Sequence, residues 1–370
     1  MSALTQYEQT PHTLRLFDQS QPDRPTTPPH RRRPLTLNRC WKAWFLPGMR
    51  TGNAPATIAE DMRNLRRFSR AWRSMNPRTI TPGVPIRKIT QSGMAEVAEL
   101  LLDGFDEVPL APNTVRKCLS TVRKVLREAE DRGKITRAPK MPKLPWSESE
   151  PVPLLLEEVD RAYRAADAAL WPRIADIPPA TTWRCWIVWF WIYGARTQDF
   201  VGYKTSKYDG LLWKSVSRET VCPIRKLRIE HEHGWLKFVP LKTRFTRRES
   251  LVLPLHPVAL AHLNPFTGLD DLRVWPNGRS KQSFYRAWKD ICAKAQLPPG
   301  SCISGSDRDD DGNPSLRKGC SNNWDEVRDG LGERVLGHVA QGTNGRHYKQ
   351  VLPRLITGLN QLPLPPSFLD

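Results

Sequence analysis

Residues 334–348 read Arg-Val-Leu-Gly-His-Val-Ala-Gln-Gly-Thr-Asn-Gly-Arg-His-Tyr, setting His338 ten positions before Tyr348. Three earlier stretches belong with it. Tyr193-Gly194-Ala195-Arg196-Thr197-Gln198-Asp199-Phe200 puts an arginine just past an apolar run. Pro240-Leu241-Lys242-Thr243-Arg244 opens a cationic turn that leads into Val252-Leu253-Pro254-Leu255. Asn313-Pro314-Ser315-Leu316-Arg317-Lys318 supplies a second arginine. Taken singly, Arg196 and Arg317 read as surface ion-pair arginines, and His338 and Tyr348 as packing residues. Their order along one segment is what carries information.

Around these stretches the pattern is mixed. Leu154 to Ala169 has helical spacing, and Thr181 to Tyr193 predicts a helix apolar on every side, so Trp183, Trp186, Trp189 and Trp191 read as core. Strand-like pieces follow at 210–216, 235–240 and 250–254, the last two joined by the turn Leu241 to Glu249. Lys281 to Ala295 predicts a helix with Phe284, Trp288, Ile291 and Cys292 on one side. From Gln350 the chain reads as a short apolar helix (Leu352, Leu355, Ile356, Leu359) and then a Pro-rich tail.

Upstream, residues 134–153 hold five prolines and no periodicity, which marks a linker. Residues 36–133 are helical in pattern. Ile58, Met62, Leu65, Phe68 and Trp72 recur on one face, with Arg63, Arg66, Arg67, Arg70 and Arg73 opposite. A second helix is expected from about Asn113 as N-cap, with Val115, Cys118, Leu119, Val122, Val125, Leu126 and Ala129 inward. Arg116, Arg123 and Arg127 line its other side, beside Lys117 and Lys124. A charge run is ordinarily a solvated face, but one sign dominates both helices, which favours phosphate contact. Residues 1–35, rich in Pro, Thr, Gln and Arg, are expected to be disordered.

Composition sets the outer bounds. A 370-residue chain with 39% hydrophobic residues and 14 tryptophans holds packed cores and is no disordered polymer. Its 57 Lys and Arg against 38 Asp and Glu give +19, which suits a polyanionic partner. The seven cysteines form no Cys-x-x-Cys pair, so free thiols in a reducing cytoplasm are expected rather than a zinc site. The first residues lack a signal-peptide pattern, and the strongest apolar run, Trp186 to Tyr193, is too short to span a bilayer. Asp307-Arg308-Asp309-Asp310-Asp311-Gly312 mimics a calcium loop, but Lys318 stands where its bidentate acid is required.

The four stretches together resemble the tyrosine recombinases, the phage integrase family. That family orders its catalytic residues as Arg, a hairpin Lys, His-x-x-Arg, Leu-Gly-His and a later Tyr. The resemblance covers about nine-tenths of the chain: a basic helical segment, a Pro-rich linker, then the motif-bearing domain. It implies a fold that is mainly α with a small antiparallel sheet. A SAM-like core-binding domain at 36–133 would precede an α+β catalytic domain at 154–350, with a C-terminal helix and tail at 351–370. It implies a site-specific DNA recombinase or integrase acting through a covalent 3′-phosphotyrosyl intermediate, with Arg196, Lys242, Arg317, His338 and Tyr348 catalytic and Asp199 supporting, orienting an arginine. Arg63, Arg66, Arg67, Arg70, Arg116, Lys117, Arg123, Lys124 and Arg127 would then face DNA. Arg244, Arg247 and Arg248 share the turn with Lys242 as alternative cations.

Phosphodiester chemistry fits those residue types. The substrate anion repels nucleophiles, and its transition state gathers charge on the non-bridging oxygens, which two guanidiniums clamp better than lysines do. A tyrosyl ester conserves bond energy for rejoining. By resemblance, Lys242 protonates the leaving 5′-hydroxyl.

One departure stands out: the His of His-x-x-Arg is Pro314, so either the loss is tolerated, or Lys318 substitutes, or activity is reduced. The alternative reading is therefore a catalytically impaired DNA-binding protein of the same fold. A third, a metal-dependent nuclease built on Asp307, Asp309 and Asp311, is disfavoured. The resemblance further implies no cofactor or metal, duplex DNA as partner, no membrane partner, a free monomer or dimer with a homotetramer at synapsis, and a cytoplasmic, nucleoid-associated location. As a hypothesis, the helix at 351–360 docks on a neighbouring protomer.

Overall fold

The computed structural model describes residues 34–52, 55–77, 83–104, 108–144, 152–202, 210–241, 250–276, 280–304, 313–338 and 348–370. The tail expected to be disordered and the Asp307–Gly312 stretch thus lie outside the described residues. Two compact units emerge: residues up to Gly48 with Ile58–Leu144, and Met49–Thr57 with Pro145–Asp370.

The first unit is helical. Its elements are α1 (Leu37–Trp44), α2 (Leu46–Gly52, running into the second set of residues), α3 (Pro55–Met75), α4 (Gln91–Asp103) and α5 (Pro112–Asp131). The inward side of α5 is the one its 3.6-residue period marks out, with Val115, Cys118, Leu119, Val122, Val125, Leu126 and Ala129 all at 0% exposure. Opposite it on α3, Leu65, Phe68 and Trp72 are buried, while Ile58 and Met62 are only half-buried. A polar seam fixes the register of the pair: Asn64 Nδ2 donates to Thr121 Oγ1 (3.4 Å), and Thr121 Oγ1 donates to Asp61 Oδ1 (3.3 Å). The α5 helix starts two residues earlier than its Asn suggests. Ala111 is the N-cap and Pro112 takes the first turn, where its missing N–H matters least and its fixed φ already suits the helix.

The second unit is built around α7 (Pro179–Tyr193). Eleven of its residues, Thr182, Trp183 and Cys185–Tyr193, are buried, as a helix apolar all round must be. It is wrapped by α6 (Leu156–Arg164), α8 (Thr197–Phe200), α9 (Pro257–Ala261), α10 (Lys281–Lys294), α11 (Leu316–Val327), α12 (Leu331–Val335) and α13 (Tyr348–Leu359). The sheet is antiparallel in the order β1 (Val216–Ser217), β2 (Trp235–Phe238), β3 (Leu251–Pro254), with Leu236 opposite Leu253. The first strand is shorter than its pattern suggests, because Trp213–Ser215 closes into a 3₁₀ turn. No helix among the described residues is long and apolar enough to cross a membrane.

Beyond α13 the chain does not trail away. Trp191 Nε1 donates to Pro363 O (2.9 Å), Ser367 N donates to Asp160 Oδ1 (3.0 Å), and the Phe368 ring lies 5.1 Å from that of Tyr163. Leu352, Leu355 and Leu359 are at most 1% exposed in the same core. The apolar side of α13 is therefore covered by its own unit, which corrects the expectation that it docks on a neighbour.

Candidate active site

Arg196 and Arg317 reach one place by different routes. The first follows the end of α7, where Gly194 adopts φ 53° and caps the helix. A Cβ there would stand 2.4 Å from Leu336 Cδ2 and 2.8 Å from Cys320 Sγ, so only glycine lets the turn close against α11 and the end of α12. Arg317 sits in the first turn of α11, whose N-cap Ser315 accepts from Lys318 N (3.2 Å). Ser315 is also held on both sides. Its N–H donates to Val152 O (3.1 Å), and its carbonyl accepts from Leu154 N (3.2 Å).

From that anchored position the Arg317 guanidinium ties three segments together. Nη1 donates to Gly194 O, and Nη2 to Leu336 O (3.2 Å) and to His338 Nε2 (3.3 Å). Because arginine has no acceptor, this contact sets His338 Nε2 on the accepting side. His338 itself follows the left-handed Gly337 (φ 68°), and its N–H donates to Glu333 O (2.8 Å). Its side chain is exposed, while Arg317 is 8% exposed.

Asp199 is buried beside them. Its two oxygens accept backbone N–H groups: Oδ2 from Arg196 (3.3 Å) and Oδ1 from Leu241 (2.8 Å). The carboxylate thus holds the turn carrying Arg196 to the residue immediately before Lys242. The role of Leu241 had no signal in the sequence, since backbone donors carry no side-chain signature.

The electrostatics are those of a buried, like-charged pair with one counter-charge. Burial lowers the Arg317 guanidinium to about 10, and the Arg196 charge acts in the same direction. Arg196 is likewise lowered by burial, with Asp199 opposing. Burial raises the Asp199 carboxyl, against the hydrogen bonds from Leu241 and Arg196 and the charges of both arginines. Two cations and one anion leave an excess of positive charge in a place largely shut off from water, a ready receptor for an oxyanion.

The remaining expected residues are distributed as follows. Tyr348 is the first residue of α13. Lys242 and its neighbouring cations lie outside the described residues. Pro314, in the place of a histidine, contributes a carbonyl to Cys302 N (2.8 Å). Lys318 Nζ donates to Asn313 O (3.4 Å). Arg63, Arg66, Arg70, Lys117, Lys124 and Arg127 are exposed; Arg67, Arg116 and Arg123 are half-buried. Lys124 stands 4.9 Å above the Phe45 ring. Among the described residues no group of three His, Cys, Asp or Glu is arranged to hold a metal.

Neither protein-family models nor curated proteins match the sequence. Among solved structures, the crystal structure of a lambda integrase(75-356) dimer bound to a COC′ core site superposes with a TM-score of 0.52, covering 85% of this chain and 98% of that chain at 17% identity. The chain has the integrase fold. That fold, mainly α with a small antiparallel sheet, is the one the motif order implied. Within the integrase fold the arginine pocket sits where α7, α11 and the end of α12 meet, a junction set by packing rather than by any single motif.

Proposed function

We propose that the chain is a tyrosine-type DNA recombinase that cuts and rejoins duplex DNA. The observation that carries this reading is the buried pocket in which Arg317 bridges Gly194, Leu336 and His338 beside Arg196 and Asp199. Two neighbouring guanidiniums, that of Arg317 fixed by three hydrogen bonds, suit a group with two or more anionic oxygens. The integrase fold and the charge of +19 fit duplex DNA as its source.

In this reading a phosphodiester enters the pocket and its non-bridging oxygens take N–H groups from Arg196 and Arg317. Three N–H bonds of Arg317 already go to protein acceptors, so the guanidinium arrives fixed and its orientation adds no reorganisation in the transition state. The Tyr348 phenol, giving up its proton to water, attacks phosphorus and forms the 3′-phosphotyrosyl ester as the bond to the 5′ oxygen breaks. Lys242 gives that oxygen its proton. His338 donates a further hydrogen bond to the same phosphate. Reversal by a 5′-hydroxyl from another strand restores the backbone without an external energy source. Assembly as a homotetramer at synapsis belongs to the same proposal.

A second reading, a DNA-binding protein of this fold with little or no chemistry, is favoured by Pro314 alone. Its carbonyl is committed to Cys302 and it has no side-chain proton to move. A nicked suicide duplex separates the two. The first reading expects a covalent protein–DNA adduct that Tyr348→Phe eliminates. Duplex binding with no adduct on any substrate leaves only the second.

A further inference from the structure

The cationic surface of the first unit does not stop at the outer faces of α3 and α5. Past the end of α5, residues 133–138 are laced back onto the unit instead of leaving it. Gly133 N donates to Glu130 O and Lys134 N to Ala129 O, both at 2.8 Å. Ala138 N donates to Glu130 Oε2 at 3.0 Å, and Arg87 Nε donates to Lys134 O at 3.1 Å. Between this stretch and the 3₁₀ turn Ile86–Lys88 lies a groove of about 810 Å³, lined among others by Arg87, Lys134, Thr136 and Arg137. Arg87, Lys88, Lys134 and Arg137 are all exposed.

One acid, Glu130, lines the groove among these cations. Glu130 takes the Ala138 N–H, and Glu128 pairs with Arg132 at 2.6 Å. Asp131, exposed at the end of α5, is the remaining neighbour. The groove therefore carries a clear excess of positive charge on backbone already fixed by hydrogen bonds, and it is far larger than a single phosphate.

We infer that this groove is a second grip on the sugar–phosphate backbone of duplex DNA, made by Arg87, Lys134 and Arg137 with the exposed Lys88 flanking it, and separate from the α3 and α5 faces. It rests on the DNA reading above. It touches phosphate, so it sets affinity and register and not sequence preference. Lys140 and Lys143, exposed further along, extend the same charge towards the second unit's part of the sequence.

The test is the salt dependence of duplex binding by the full chain, from about 50 to about 200 mM. Every phosphate that a variant leaves without its cation lowers the slope of log affinity against log salt by about 0.9. The variant Lys88→Ala/Lys134→Ala/Arg137→Ala is expected to lose about 2–3 units of slope, and to do so additively with Lys117→Ala/Arg127→Ala on α5. Lys134→Gln alone, the mildest change, is expected to lose about one and guards against a folding defect in the triple variant. Wild-type slope and affinity in these variants overturn the groove, even if the parent chain binds DNA well. Failure of the parent chain to bind duplex DNA sinks the underlying reading instead.

Discussion

At the scale of single residues, the pocket's chemistry depends on geometry that lysine cannot copy. Arg317→Lys has one ammonium to replace a guanidinium that reaches Gly194 O, Leu336 O and His338 Nε2 together. Adduct formation on a suicide duplex is expected to fall about 10²–10³-fold, with duplex affinity nearly unchanged. Holding two cations together out of water also works against the fold. With its guanidinium lowered to about 10 by burial and by Arg196, Arg317 opposes folding throughout the neutral range, where it is charged, and that opposition fades only as pH climbs past about 10. An oxyanion offsets it. Sulfate or phosphate is therefore expected to stabilise the fold over chloride of equal ionic strength, by up to about 2.7 kcal/mol at a hundredfold excess over the dissociation constant, read as a higher melting temperature. Arg196→Ala/Arg317→Ala should abolish the difference. Asp199→Asn keeps one acceptor but turns an amide towards the other N–H. Urea unfolding should show a loss of about 1–3 kcal/mol. The motif order in the sequence pointed to Arg196, Arg317 and His338 because their side chains are chemically particular. It was silent on Leu241 and on the Gly194 and Leu336 carbonyls, since any residue type brings a backbone group.

At the scale of elements, helical period and apolar content foretold most of what is buried. The inward residues of α5 and the four tryptophans of α7 are where periodicity placed them. Ends were harder to read: α5 begins on Pro112 because proline's preset φ outweighs asparagine's capping preference, and β1 shrinks because Trp213–Ser215 curls. The region after Tyr348 misled for a physical reason. An apolar helix with a Pro-rich extension looks the same whether it packs at home or on a neighbour, and only the tertiary packing decides. With Leu355 at 1% exposure within its own core, Leu355→Ala is expected to destabilise the protein by about 2–5 kcal/mol. Its melting temperature should not depend on protein concentration; a concentration-dependent melt would mean the helix is shared between copies after all.

At the scale of the whole molecule, the proposed DNA partner gives the charge excess of +19 a measurable consequence. If about 6–10 phosphates are contacted, duplex affinity should drop about 10³–10⁵-fold between about 50 and about 200 mM salt, a decline that filter binding or fluorescence anisotropy measures directly. The division at Leu144 and Pro145 falls inside the stretch 134–153 that its prolines mark as a linker. The crowding of indoles along α7 has a practical consequence. Trp183 and Trp186 lie 5.1 Å apart at 85°, and Trp186 and Trp275 lie 6.1 Å apart at 76°. Chromophores that close share their excitation, so near-ultraviolet dichroism will carry a signature from the second unit. Trp41, Trp44 and Trp72 are the only indoles the first contributes. The molecule comes with its own optical gauge of which half has melted.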